Sequence, residues 1–125
     1  MSTDASHVIA YTAFTDRAEA VAMARSVVQK QLAAGADIRE VTCVRPAERE
    51  HEVEERTEYI VALQTATPMI EALKAHVVSE HSQKLPVFMV VPIVSGHDKF
   101  LAWIDDYVNE GATAGGVGRN GSLNL

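Results

Sequence analysis

Three features of this sequence predict an α+β sandwich with the order strand, helix, two strands, helix, strand and a closing helix. A short apolar run at His7–Phe14 leads straight into a long amphipathic stretch. Two later apolar runs joined by a charged segment have the pattern of a hairpin. A second helical pattern then precedes one more apolar run.

Each element has a local cause. His7-Val-Ile-Ala-Tyr-Thr-Ala-Phe14 is apolar or small almost throughout, which suits a central strand covered on both faces. Thr15-Asp16 stops it, and Asp16 with Glu19 matches an acidic capping box, in which each carboxylate accepts from an orphan N–H. Ala20, Val21, Ala24, Val27, Val28, Gln31 and Leu32 share one stripe at helical spacing. The helix is expected to end near Ala34, with Gly35 closing the last turn in the left-handed conformation.

Asp37–Val44 contains the next strand, with Val41, Cys43 and Arg45 on one side, Thr42 and Val44 on the other, and Pro46 at its end. Ala47–Arg56 is dominated by charge and reads as a solvated hairpin tip before the strand Tyr59–Thr65. Thr67 can cap a second helix, with Pro68 in the first helical position and Ile70, Leu73, Val77 and Val78 on its stripe, running to about His81. After the connection Ser82–Pro86, Val87–Val94 forms the last strand, whose Pro92 suits a sheet edge or a strand end. Ser95-Gly96-His97 turns the chain, Asp98 can cap, and Phe100, Leu101, Trp103, Ile104 and Tyr107 build a short final helix. Residues 1–108 therefore form one domain, and 109–125 a Gly-rich, flexible tail without the pattern of a phosphate loop.

This order is the split βαβ, ferredoxin-like arrangement, with helices on one face of the sheet only. Apolar residues on both sides of the later strands leave the second face uncovered, so an oligomer is expected. With one cysteine among 125 residues no intrachain disulfide can form, which agrees with a reducing compartment. The first residues have neither the basic region nor the apolar core of a signal peptide, and no apolar run is long enough to span a membrane; a cytoplasmic protein is expected. A formal charge of −6 and scattered basic residues argue against nucleic acid as a partner.

The residues also carry a resemblance. Tyr11-Thr-Ala13 with Asp16, Leu32-Ala-Ala34, the acidic hairpin leading into Tyr59–Thr65, His81 before Leu85-Pro86, Val91-Pro-Ile-Val94 with Gly96, and Phe100-Leu-Ala-Trp-Ile104 together resemble the CutA family of divalent-cation tolerance proteins. The resemblance covers Val8 to Val108. It implies a ferredoxin-like subunit, a homotrimer whose sheets face inward, and a divalent metal ion such as copper as a ligand; PII-type signalling trimers are related in fold. Several residues depart from the family pattern. Gly35 stands where the family has a cysteine proposed to bind copper, Val44-Arg45-Pro46 replaces a Tyr-Arg-Trp group, His81-Ser-Gln-Lys-Leu-Pro86 keeps the histidine but not the tyrosine, and Gln64 replaces a lysine. Glu58 and Trp103 match.

Candidate site residues follow from both lines. Cys43 in a strand reads as a small hydrophobe, and Met23, Met69 and Met89 as core filling. His76 and His81, five apart, do not share a helix face, so which residues bind a metal is unknown from one chain. His81, at a helix end beside a Pro-containing loop, is the candidate acid/base, with Glu58 or Glu55 as its carboxylate partner. Arg45, Lys84 and Gln64 are the candidate ligand-binding residues. Two functions are consistent with this set. The first is a CutA-like trimer for metal tolerance or small-effector binding. The second is a metabolic or biosynthetic enzyme that acts on a small polar substrate in a cleft between subunits, with His81 as acid/base.

Overall fold

The computed structural model describes residues 5–112, which run through β1 (His7–Phe14), α1 (Arg17–Gln29), β2 (Gly35–Pro46), β3 (Val53–Ala66), a 3-10 turn (Thr67–Met69), α2 (Ile70–Glu80), β4 (Met89–Pro92) and α3 (Asp98–Ala112). All strand pairs are antiparallel, in the order β2-β3-β1-β4. This is the ferredoxin-like α+β arrangement that the sequence pattern predicts.

Side-chain alternation divides the sheet into two faces. Ala10 and Phe14 of β1 and Val61 and Leu63 of β3 join Ala20, Met23 and Val27 of α1 and Leu73 and Val77 of α2 in one core, all 5% exposed or less. The other face carries Ile9, Tyr11, Ile60, Met89 and Val91. Here β1 is only half covered rather than enclosed on both sides, and Met89 and Val91 are 57% and 39% exposed. Helix α3 covers one end of the sheet through a second cluster, where Ile104 and Val108 pack on Ala34 and Ala66.

Asp16 caps α1 as its position predicts, its Oδ2 accepting from the Glu19 N–H at 3.1 Å. The capping box is only half made, because the Glu19 carboxylate accepts from the Ser82 N–H at 3.0 Å and the Ser82 hydroxyl at 2.7 Å. Gly35 does not close this helix. The last turn ends five residues earlier, where the Leu32 N–H reaches the Val27 carbonyl and the Gln31 N–H the Val28 carbonyl, the two bonds of a Schellman closure. Gln31 takes the left-handed conformation, φ 58°, which costs a residue with a Cβ roughly 1–2 kcal/mol. Its side chain offsets this by donating to the Tyr107 carbonyl at 2.8 Å, while the Tyr107 hydroxyl donates to the Val28 carbonyl at 2.7 Å. Gly35 is thereby free to begin β2.

Thr67 does not cap the second helix either, because its hydroxyl donates to the Ala5 carbonyl. The β2–β3 hairpin is longer than the apolar runs suggest. Val53–Glu58 pair with β2 but lie beyond the reach of β1, which pairs with Tyr59–Ala66, so the hairpin projects from the sheet as a two-stranded arm. The solvated tip shrinks to residues 47–52, with His51 at φ 65°. Strand β4 is an edge strand that ends at Pro92, as the missing N–H requires. Helix α3 continues to Ala112, past Asn109 where composition places the start of the tail, and the rest of that tail lies outside the described residues.

Candidate functional site

The base of the arm gathers charge on the uncovered face. Cys43 lies opposite Arg56, and Val41 opposite Glu58, so alternation puts Cys43, Arg45, Arg56 and Glu58 side by side. Glu58 is 3% exposed. The Arg56 Nε donates to its Oε2 at 2.7 Å, and the Arg45 Nη2 lies 3.5 Å from Oε1. The Cys43 thiol is also hydrogen-bonded to this carboxylate.

The cluster settles the protonation of its members. Burial by itself raises the Glu58 pKa, but the hydrogen bonds from Arg56 and Cys43 and the two guanidinium charges outweigh it and bring the carboxyl below its usual range. Burial, then the hydrogen bond to Glu58 and its charge, push the Cys43 thiol up, although both arginines pull the other way. A protonated, buried thiol is neither a nucleophile nor a thiolate ligand at neutral pH. The two guanidinium groups also repel a cation from the Cys43 and Glu58 donors, so these residues do not fit a divalent metal within one subunit. Among the described residues, no group of three His, Cys, Asp or Glu side chains could hold one.

His81 belongs to a different place. It follows α2, and its ring stacks on Phe14 with centroids 4.2 Å apart and planes 8° from parallel. Nε2 donates to the Ala13 carbonyl at 2.8 Å, and Nδ1 accepts from the Gln83 N–H at 3.2 Å. Both nitrogens are thus engaged in one tautomer. Phe14 is part of the helix-covered core, whereas Glu58 projects from the opposite face, so the sheet stands between the histidine and this carboxylate.

The other predicted residues are also distributed. Glu55 is exposed opposite Val44 and, an odd number of residues from Glu58, projects from the other face of the arm. Lys84 is exposed on the loop after α2. Gln64 shares the uncovered face with Glu58 but lies about 20 Å farther along the strand, where its Nε2 donates to the Asp37 Oδ2 at 3.0 Å. The structure therefore joins Arg45 to Glu58 and brings none of the others to that pair. Arg56 and Asp37 are the participants that sequence reasoning missed. Arg56 lies two residues from Glu58 in an extended chain, and that spacing is the signal that could have found it.

Comparison with known proteins gives a consistent result. The family described as CutA1 divalent ion tolerance protein matches residues 8–107. The chain is 30% identical over 98 residues to the chloroplastic protein CutA of Arabidopsis thaliana, covering 78% of this chain; it spans 53% of that relative's length. Among solved structures it is similar to the periplasmic divalent cation tolerance protein CutA of Archaeoglobus fulgidus, with 27% identity, a TM-score of 0.75, and coverage of 82% of this chain and 98% of the other. CutA1 from Oryza sativa, at 24% identity, a TM-score of 0.75 and coverage of 85% and 96%, shares the fold.

Proposed function

The chain belongs to the CutA1 divalent ion tolerance family, and from that membership we propose that it serves tolerance of divalent ions as a cytoplasmic homotrimer with effector-binding clefts between subunits. The observation that carries this reading is the family match across nearly the whole described fold. Two structural features support the assembly. The uncovered sheet face holds Ile9, Tyr11, Met89 and Val91 without a layer over their outer ends, and a neighbouring copy supplies that cover. The projecting arm is a two-stranded ribbon with Val44 and Val53 56% and 70% exposed, and an isolated ribbon of this kind is marginal in water.

In this reading a divalent ion is held by donors shared between subunits, since Cys43 and Glu58 are committed to each other and to two arginines. Arg45, 42% exposed on its side chain, lines the cleft and meets an anionic group of the effector. Lys84, Glu55 and Gln64 supply further polar contacts where subunits meet, whereas His81 is held within its own subunit. The enzyme reading gains no support from the relatives, and the two His81 nitrogens already have partners.

Sedimentation equilibrium combined with equilibrium dialysis tests the proposal. Three copies are expected at micromolar concentration, with copper(I), copper(II) or zinc retained under reducing conditions by the assembly. Val91→Glu, which puts a charge on the uncovered face of an edge strand, is expected to lower the assembly state and release the metal with it. A wild-type monomer, or a trimer that retains no metal, would overturn the reading.

A further inference from the structure

A groove of about 290 Å³ runs between α1 and α2, and every residue that lines it belongs to those two helices. Both helices pack on the covered face of the sheet, so the sheet separates this groove from the Glu58 cluster and from the face that neighbouring copies cover. Its floor is apolar, with Ala22 and the buried Met23.

The polar groups along it are placed by helix geometry. Ser26 of α1 meets His76 of α2, and Glu19 near the start of α1 meets Ser82 just past the end of α2, so the two helices run antiparallel. The Ser26 hydroxyl and His76 Nε2 are hydrogen-bonded at 2.9 Å across the middle of the groove. That bond leaves the second ring nitrogen and part of the hydroxyl's capacity without a partner among the described residues. Lys30 stands four residues after Ser26, and Glu80 four after His76. Because the helices are antiparallel, these charges lie about 6 Å beyond the Ser26–His76 pair in opposite directions. Long helical side chains lean toward the start of their own helix, which brings both charged ends back toward the middle. Lys30 and Glu80 are exposed, and neither makes an ion pair among the described residues. Glu19 also lines the Glu80 end, but its carboxylate already accepts two hydrogen bonds from Ser82. In order, then, the groove presents an ammonium, a hydroxyl–imidazole pair and a carboxylate over an apolar floor.

We propose that this groove binds a small zwitterion of the dipeptide class. The ligand carboxylate meets Lys30, its ammonium meets Glu80, its central amide meets the Ser26–His76 pair, and its side chains rest on Ala22 and Met23. Opposite charges at the two ends select a molecule that carries both, and the polar pair between them selects an amide over a plain methylene chain. The site is separate from the handling of divalent ions, which shared donors on the other side of the sheet concern.

Isothermal titration calorimetry of the full-length protein in its native assembly tests this with four probes: glycylglycine, its C-terminal amide, its N-acetyl derivative, and 5-aminopentanoate, which has the same charge spacing without the amide. Glycylglycine is expected to bind most tightly, at least about tenfold tighter than either singly charged derivative, a factor that one well-placed charge contact supplies. Lys30→Gln should bring glycylglycine to parity with its amide, and Glu80→Gln to parity with its N-acetyl derivative; both positions are exposed, so folding is unaffected. Ser26→Ala, a change that favours the helix, should remove the advantage of glycylglycine over 5-aminopentanoate. Arg25→Gln, exposed on α1 but outside the groove, should change nothing. Equal binding of the charged and capped probes, no binding at 10 mM glycylglycine (on the order of the weakest affinity one such contact gives), or a preference that survives both Lys30→Gln and Glu80→Gln would each overturn the proposal. No metal enters these readouts, so failure here leaves the family-based reading standing.

Discussion

Replacing Glu58 by Gln tests the electrostatic account of the arm. The substitution keeps the size and shape of a side chain that is 3% exposed and removes its charge. The bond from the Arg56 Nε at 2.7 Å is charge-assisted and worth roughly 1.5–3 kcal/mol, against roughly 0.5–1.5 kcal/mol for a neutral acceptor. The contact from Arg45 at 3.5 Å is at the limit of a hydrogen bond and adds little. Arg45 and Arg56 are 42% and 45% exposed on their side chains, so water can solvate them once the carboxylate is gone. The loss therefore stays below the roughly 3–5 kcal/mol of a fully buried pair broken on one side. A cost of about 1.5 kcal/mol is expected, roughly 4–8 °C in Tm for a domain of this size. The pH dependence adds a second criterion. Because the folded-state pKa of Glu58 lies below its unfolded value, the stabilisation is complete above that unfolded value, near pH 4.3, and is lost as pH falls through the folded pKa. Urea titrations of both proteins at one fixed concentration should show a gap at pH 7 that narrows steadily below about pH 4.3. A gap under about 0.5 kcal/mol at pH 7, or one of constant size down to low pH, would refute the reasoning.

Three further outcomes follow from individual contacts. His81→Ala should cost about 2 kcal/mol, from the bond to the Ala13 carbonyl and the stacking on Phe14, and His81→Gln should recover part of it; chemical denaturation reads both. Thr12 is fully buried, and its hydroxyl has no hydrogen-bond partner among the described residues, so Thr12→Val, which keeps the shape, should raise stability by about 1 kcal/mol. Cys43, buried and with its pKa raised by burial and by Glu58, should react with a thiol reagent at pH 7.5 only as fast as the protein opens; rapid labelling of the native protein would contradict the geometry.

The apolar periods of β1, α1, β3 and α2, the cap at Asp16 and the edge position of Pro92 were readable because each depends on neighbours in the chain. What escaped the sequence reading was decided by distant partners. Glu19 gives its carboxylate to Ser82 rather than to its own helix start, and Thr67 gives its hydroxyl to Ala5 rather than to the turn it opens. Gln31 holds a left-handed conformation that local rules assign to Gly35, because Tyr107 lies within reach of its amide. The site shows the same division. Arg45 and Glu58 meet because strand alternation is a local rule. The distance of His81 from them depends on which face of the sheet α2 covers, and no spacing of residues encodes that.

The central position of β1 also orders events in time. Its partner β3 ends at Ala66, but its second edge, Val8–Tyr11, pairs with Pro92–Met89. At a synthesis rate of about 5–20 residues per second, β4 leaves the ribosome roughly one to five seconds after β3. Through that interval the nascent chain carries an open strand edge rich in β-branched and aromatic residues, the kind of template on which chains pair with each other. The newborn protein is thus most exposed to aggregation before β4 arrives, and lengthening the segment between α2 and β4 would prolong that exposure without altering a contact of the finished fold.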